Sequence, residues 1–286
     1  APHVRLCCLM LHGRAANADV MRLLMTGTDW HGSLSSTVDF MYANAPHPCE
    51  PDHQLYASLV QRGLYDQGDG EQYFTFGLGT KGLCVSDTAG SKLIEESVAH
   101  VERSLRDTKA PCSAVGGICE GACVAAVVAQ RNPWLKLYLN FCGPPWEVLP
   151  AVLRDVAESI SVPSVHILGL QDELLTQAEL GNLVLKCREA TVLRHDQGHV
   201  IPLLRPPMAR AIETIAFRCL EDNALVGKPL DSTGEPPGSR LRNGAGFSAR
   251  IEEDEHIEGA DDDSLRLTQS NSWANRSAKS VPLDLL

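Results

Sequence analysis

The stretch Cys112–Gln130, CSAVGGICEGACVAAVVAQ, decides the fold. Cys112–Ile118 is a short apolar run that suits a buried strand, and Ala122–Gln130 is a helical pattern rich in small residues, able to lie close to a sheet. Between them Gly117-Ile118-Cys119-Glu120-Gly121 spells G-x-C-x-G. A nucleophile held on a sharp strand-to-helix turn needs this arrangement, and the flanking glycines let the backbone turn without side-chain clashes. Cys119 stands where the commoner pattern, G-x-S-x-G, has serine. A buried structural cysteine after a strand leaves the same local pattern, so the rest of the chain must decide.

Working outward, strand-like runs occur at Val4–Leu11, Thr37–Tyr42, Leu135–Cys142, Ser164–Leu170 and Ala190–His195. They are apolar without in/out alternation, as expected of strands buried on both faces of a parallel sheet. Helical patterns fall between them, at about Asn17–Met25, Ser91–Arg106, Glu120–Gln130, Glu147–Ser159, Thr176–Cys187 and Leu203–Leu220. This alternation predicts a doubly wound α/β fold, a mostly parallel sheet with helices on both faces.

Two further residues follow Cys119 in the order nucleophile, acid, base. Asp172 lies in the turn after the strand of SVHILGLQDELL (Ser164–Leu175), where such folds place a triad acid; the competing role is a helix N-cap, which Thr176 could fill instead. His199 lies in RHDQGHVIPLL (Arg194–Leu204), on a loop after the next strand, with His195 as its competitor at the strand end. An oxyanion hole needs two backbone N–H groups. Glu120, at the head of the helix after Cys119, would give one. Arg14, in the loop LHGRAAN (Leu11–Asn17) after the first strand, would give the other, with His12 bracing that loop. Pro144, Pro145 and Trp146 follow a strand's C-terminal end, where open α/β sheets bind ligands, and are candidates for an acyl pocket; packing alone explains them equally well.

Assembled, these pieces resemble the FSH family of serine hydrolases within the α/β hydrolases, over about Val4–Leu220. The carriers are LHGRAAN, ANAP (Ala43–Pro46), GGICEGACVAA (Gly116–Ala126), FCGPPW (Phe141–Trp146), ILGLQDELL (Ile167–Leu175) and HDQGHVIP (His195–Pro202). The family elbow usually reads GFSQGA or GFSEGA. The resemblance implies an α/β-hydrolase fold, with Cys119 as nucleophile, Asp172 as acid and His199 as base; no cofactor is expected, and no Cys/His cluster reads as a metal site. A similar G-x-C-x-G elbow occurs in dienelactone hydrolases, more distant members of the fold, so the exchange of serine for cysteine does not imply a dead enzyme. It favours activated esters, thioesters or lactones over amides. The competing class is an inactive α/β-hydrolase scaffold used for binding; a lactonase or peptidase on the same scaffold is a third.

The 286 residues suffice for one sizeable core or two small ones. A net charge of −11 argues against nucleic acid, since phosphate binding needs a basic face. No apolar run reaches the ~18 residues that span a bilayer. Val4–Gly13 has the apolarity of a signal segment but no basic leader or small-residue cleavage site. The ten cysteines include no C-x-x-C pair and several lie in apolar runs, which suits a reducing, cytoplasmic setting without a disulfide framework.

Two regions break the α/β pattern. Residues 46–90 are rich in Gly, Pro and polar residues and read as an insertion in the 1–220 domain, a lid or pocket wall. From Glu221 to Leu286, 13 acidic against 7 basic residues place over half the net negative charge in a tail, with the run IEEDEHIEGADDD at Ile251–Asp263. Such a composition buries too little apolar surface to offset ordering and predicts a disordered tail of unknown partner.

Overall fold

The computed structural model describes residues 5–50, 72–78, 88–107, 112–150, 153 and 159–226. Six strands form one all-parallel sheet: β1 (Leu6–Leu11), β2 (Val38–Ala43), β5 (Ala114–Ile118), β6 (Leu137–Phe141), β7 (Ser164–Gly169) and β8 (Ala190–His195). Their order is β2-β1-β5-β6-β7-β8. Every residue of β5, β6 and β7 is buried, whereas β2 and β8 keep partly exposed positions. The runs without alternation are thus the central strands, covered on both faces.

Helices α1 (Ala18–Gly27), α2 (Trp30–Leu34) and α6 (Pro206–Val226) lie on one face, where Met21, Met25, Trp30 and Ile212 join Leu6, Met10 and Phe141 in one core. Helices α3 (Thr88–Asp107) and α4 (Glu120–Arg131) lie on the other, with Ile94, Val98 and Val124 packed beside Leu9, Leu11 and Val115. Helix α5 (Gln177–Lys186) covers the β7–β8 end through Leu180. Local signals start these helices. The Asn17 side chain accepts from Val20 N at 2.9 Å, and Thr176 and Glu179 form a capping box.

The expected α/β-hydrolase fold is therefore the one observed, with differences at its margins. Residues 46–90 are not wholly irregular: β3 (His47–Cys49) and β4 (Tyr73–Thr75) pair antiparallel. Most of the region expected to form a lid or pocket wall, residues 51–71 and 79–87, lies outside the described residues. The helix expected at Glu147–Ser159 begins as a single 3₁₀ turn, Trp146–Val148, after which Leu149 is extended; beyond Pro150 only Leu153 and Ser159 of that range are described. Helix α6 runs to Val226 rather than ending at Leu220. The predicted acidic tail lies otherwise outside the described residues.

The chain passes from β1 to β2 on one side, then returns to β5 on β1's other side. The ends of β1 and β5 therefore flank the topological switch point, where open α/β sheets form their ligand crevice.

Candidate active site

Cys119 sits at the apex between β5 and α4 with φ 54° and ψ −125°, a conformation that L residues rarely adopt. Strain of this kind costs about 1–3 kcal/mol and persists only where surrounding structure enforces it. Here the enforcement is visible. Cys119 N donates to Phe141 O at 3.0 Å, tying the apex to β6. A Cβ on Gly117 would lie 2.5 Å from the Gly121 carbonyl carbon, and one on Gly121 would lie 2.4 Å from His12 O. The turn closes against the end of β1 only because both positions are glycine. The Cys119 side chain makes no capping hydrogen bond to its helix, so the thiol is not consumed there.

Asp172 and His199, expected on separate loops, meet. His199 Nδ1 bonds Asp172 Oδ2 at 2.8 Å, and Asp172 Oδ1 accepts from Leu174 N and Leu175 N, both at 2.9 Å. The helix cap that competed for Asp172 is supplied by Thr176. The two loops are pressed together: a Cβ on Gly169 would lie 2.3 Å from Gly198 O, and Gln171 N donates to Gln197 O at 3.1 Å. Beyond His199, Trp30 Nε1 donates to Pro202 O at 2.8 Å and fixes the loop's far side. His195 is the wrong histidine for this pairing. It is buried in its strand end, its Nδ1 accepts from Gln197 N at 3.3 Å, and burial lowers it to about 4.

Burial opposes charge on His199, but Cys119 and then Asp172 outweigh it and raise the imidazole to about 10. Burial likewise opposes charge on Asp172, yet the His199 bond and two backbone N–H groups hold it below its ordinary value. His199 Nε2 is buried and its hydrogen bond is not closed, but Cys119 stands near enough to act on it through both charge and hydrogen bonding. Such bonds are often long until substrate binds.

The loop after β1 abuts the elbow: a Cβ on Gly13 would lie 3.5 Å from Cys119 Cβ. His12 Nε2 accepts from Ala45 N at 3.0 Å, which leaves the proton on Nδ1 to be donated to Gly13 O at 2.6 Å. Burial lowers His12 to about 4 and keeps it neutral. A peptide's C=O and N–H point in opposite directions, so holding the Gly13 carbonyl toward His12 turns the Arg14 N–H away from it. Glu120, first in its helix, has a backbone N–H without an intrahelical acceptor.

The serine hydrolase (FSH1) family model matches residues 4–209. The chain belongs to that family. Among its relatives are the esterase OVCA2 of Danio rerio, 25% identical over 70% of this chain and 91% of that protein, and the esterase AGAP003155 of Anopheles gambiae, 24% identical over 69% and 72%. The esterase CG5412 of Drosophila melanogaster is 28% identical over 38% of this chain, a match spanning 40% of that protein. Among solved structures, the Bacillus cereus carboxylesterase aligns with TM-score 0.46 and 14% identity over 75% of this chain and 89% of that one.

Two features of this FSH1-family chain escaped sequence reasoning. Glu120 was expected only for its N–H. Its carboxylate is buried and accepts from Thr75 Oγ1 at 2.8 and 3.0 Å and from Leu78 N at 2.7 Å. The described end of the 46–90 insertion is thereby fastened to the helix that follows Cys119. Phe74 N bonds Ala16 O at 2.9 Å, and the Phe76 ring lies 5.1 Å from that of His12. The second feature is Cys142, at φ 46° where β6 ends. One ligating atom each of Cys142, Asp172 and His199 lie within 4.8 Å of one another, a set whose chemistry could hold a metal ion. Its histidine and aspartate are already bonded to each other, which is the use a proton relay makes of them. Burial first, and the Asp172 charge, raise the Cys142 thiol to about 12 and keep it protonated. The only sequence signal was its place in FCGPPW, at the end of the strand beside the elbow's.

The structure separates the three acyl-pocket candidates. Trp146 is buried in the core, its backbone N–H donating to Asn182 Oδ1 at 2.8 Å and Lys186 Nζ 5.8 Å from its ring centroid, while its indole Nε1 is buried without a partner. Pro144 and Pro145 keep partial exposure. Among the described residues, no helix is long and apolar enough to cross a membrane.

Proposed function

We propose that the chain hydrolyses small carboxyl esters or thioesters with Cys119 as nucleophile, His199 as general base and acid, and Asp172 as the group that orients His199. The observation that carries this reading is the 2.8 Å Asp172–His199 bond beside the strained elbow, with Cys119 the leading charge that raises the imidazole. The thiolate, not the thiol, is the attacking species. The thiolate sulfur attacks the acyl carbon, and the oxyanion is received by the Arg14 and Glu120 N–H groups. His199 gives its proton to the leaving alcohol or thiol, and a thioester acyl-enzyme remains. His199 then takes a proton from water, which attacks the thioester and releases the acid and the Cys119 thiolate. Asp172 stays ionised throughout and holds Nδ1. Pro144 and Pro145 border the acyl group, the free thiols suit a cytoplasmic setting, and no metal or cofactor enters a step.

The test is turnover of the acetate, butanoate and octanoate esters of p-nitrophenol and of one acyl thioester. Cys119→Ala is expected to abolish turnover while the circular dichroism spectrum is unchanged. Equal turnover in Cys119→Ala overturns the assignment. Absent turnover in the parent with activity gained in Cys119→Ser identifies instead an intact site on a binding scaffold.

A further inference from the structure

At the other end of the sheet from the elbow, two thiols stand in contact. Cys7 Sγ and Cys112 Sγ are 2.7 Å apart. A disulfide is about 2.0 Å long, so bonding needs the two sulfurs to close by only about 0.7 Å. The contact is set by the fold rather than by flexible side chains. Cys7 lies in β1, and Cys112 lies two residues before β5, β1's parallel neighbour. Ser113 N donates to Cys7 O at 3.0 Å, and Cys112 N donates to Leu105 O at 3.1 Å, so the backbone on both sides of the pair is fixed. Cys112 is wholly buried, whereas Cys7 is partly exposed. Cys8, the next residue, faces the opposite side of the sheet, and its thiol bonds Met10 Sδ at 3.5 Å.

We propose that Cys7 and Cys112 are a covalent site: a reversible disulfide that staples β1 to β5 when an oxidant is present. Both are thiols in the reducing setting, and the two-electron oxidant is a diazene or a low-molecular-weight disulfide. With a diazene, the Cys7 sulfur adds to one nitrogen while its proton ends on the other. The Cys112 sulfur then attacks the Cys7 sulfur, the S–N bond breaks, and the departing nitrogen takes the Cys112 proton. The products are one disulfide and one hydrazine. With a small disulfide, two exchange steps release two small thiols and leave the same bond. The bond joins residues 105 positions apart. Closing so long a loop removes entropy chiefly from the unfolded chain, so the oxidised protein melts at a higher temperature. It also ties together the N-terminal ends of the strands whose C-terminal ends carry the Gly13–Arg14 loop and Cys119.

The experiment treats the full chain with diamide, blocks remaining thiols by alkylation, and maps disulfides by mass spectrometry of a non-reduced digest, beside thermal melts. Activity is not the readout, because the oxidant also reaches Cys119. The expected result is a Cys7–Cys112 linkage, a raised Tm, and return of the original Tm on reduction. The linkage is lost in Cys7→Ser and kept in Cys8→Ser. No linkage, linkage through Cys8 or any other cysteine, or linkage without a change in Tm overturns the proposal. The map of the unsubstituted chain decides the matter even where a variant fails to fold.

Discussion

His199 Nδ1 and Asp172 Oδ2 lie 2.8 Å apart, while His195, four residues earlier in the chain, bonds no carboxylate. If Asp172 orients His199 and supports its charge, Asp172→Asn keeps the loop's shape but favours the wrong tautomer. The expected result is a loss of about 10³–10⁴ in kcat with little change in KM. His195→Gln, by contrast, leaves the rate within about tenfold, because that ring lies outside the relay. Steady-state kinetics on one ester separate the two, and equal losses would remove Asp172–His199 from the mechanism.

The elbow makes a sharper prediction about stability. Gly121 meets the backbone oxygens of His12 and Leu11, which a Cβ would approach to 2.4 and 2.7 Å. Backbone cannot swing aside as a side-chain end can, so Gly121→Ala should destabilise by about 3 kcal/mol or more. Gly181, inside α5, has nothing within 4 Å of its Cβ position. Gly181→Ala should stabilise by about 0.5–1 kcal/mol through the lower entropy of the unfolded chain. Urea denaturation of the two variants should therefore move the midpoint in opposite directions.

The sheet and the Asp172–His199 pair were legible because their signals are local. β5, β6 and β7 are apolar on both faces, and the order Cys119, Asp172, His199 can be read along the chain. What was missed depends on residues distant in sequence or on elements too short to show a period. β3 and β4 have three residues each, one of them Pro48, and the five-residue α2 is entered through Asp29 with φ 60°. The partners of the Glu120 carboxylate are 45 and 42 residues away. Cys142 in an apolar run reads as a small hydrophobe, and only the fold brings it beside Asp172.

Glu120 joins two roles that mutation can separate. Glu120→Ala keeps the backbone N–H but leaves the Thr75 hydroxyl and Leu78 N–H without their acceptor. Losing hydrogen bonds to a buried carboxylate costs about 1.5–3 kcal/mol each, so the variant should melt well below the parent. Glu120→Gln retains one acceptor oxygen and should fall between the two. If the pinned segment borders the acyl group, octanoate turnover falls more than acetate turnover in Glu120→Ala. A uniform change across chain lengths confines the carboxylate to a stabilising role.

Stability should also peak near neutrality for reasons the histidines supply. Burial lowers His12 to about 4, His166 to about 3 and His195 to about 4, the last against the opposing charges of Asp196 and Asp172. In the unfolded chain each takes up a proton near pH ~6.5. Between ~6.5 and these folded values the unfolded state binds more protons, so stability falls as pH drops, with a slope of up to about three protons. Asp172, held below its ordinary value, adds to the loss at still lower pH. His199 works in the other direction. Its folded value, raised to about 10, gives a contribution that is complete below ~6.5 and is lost as pH rises through about 10. The acid limb should therefore be the steeper. Asp172→Asn removes one of the two groups that raise His199, so it should flatten the alkaline limb and leave the histidine part of the acid limb in place. Denaturant midpoints at intervals from pH ~4 to ~10 test this, and an alkaline limb unchanged in Asp172→Asn would show that the His199–Asp172 bond does not sustain the charge assigned to it.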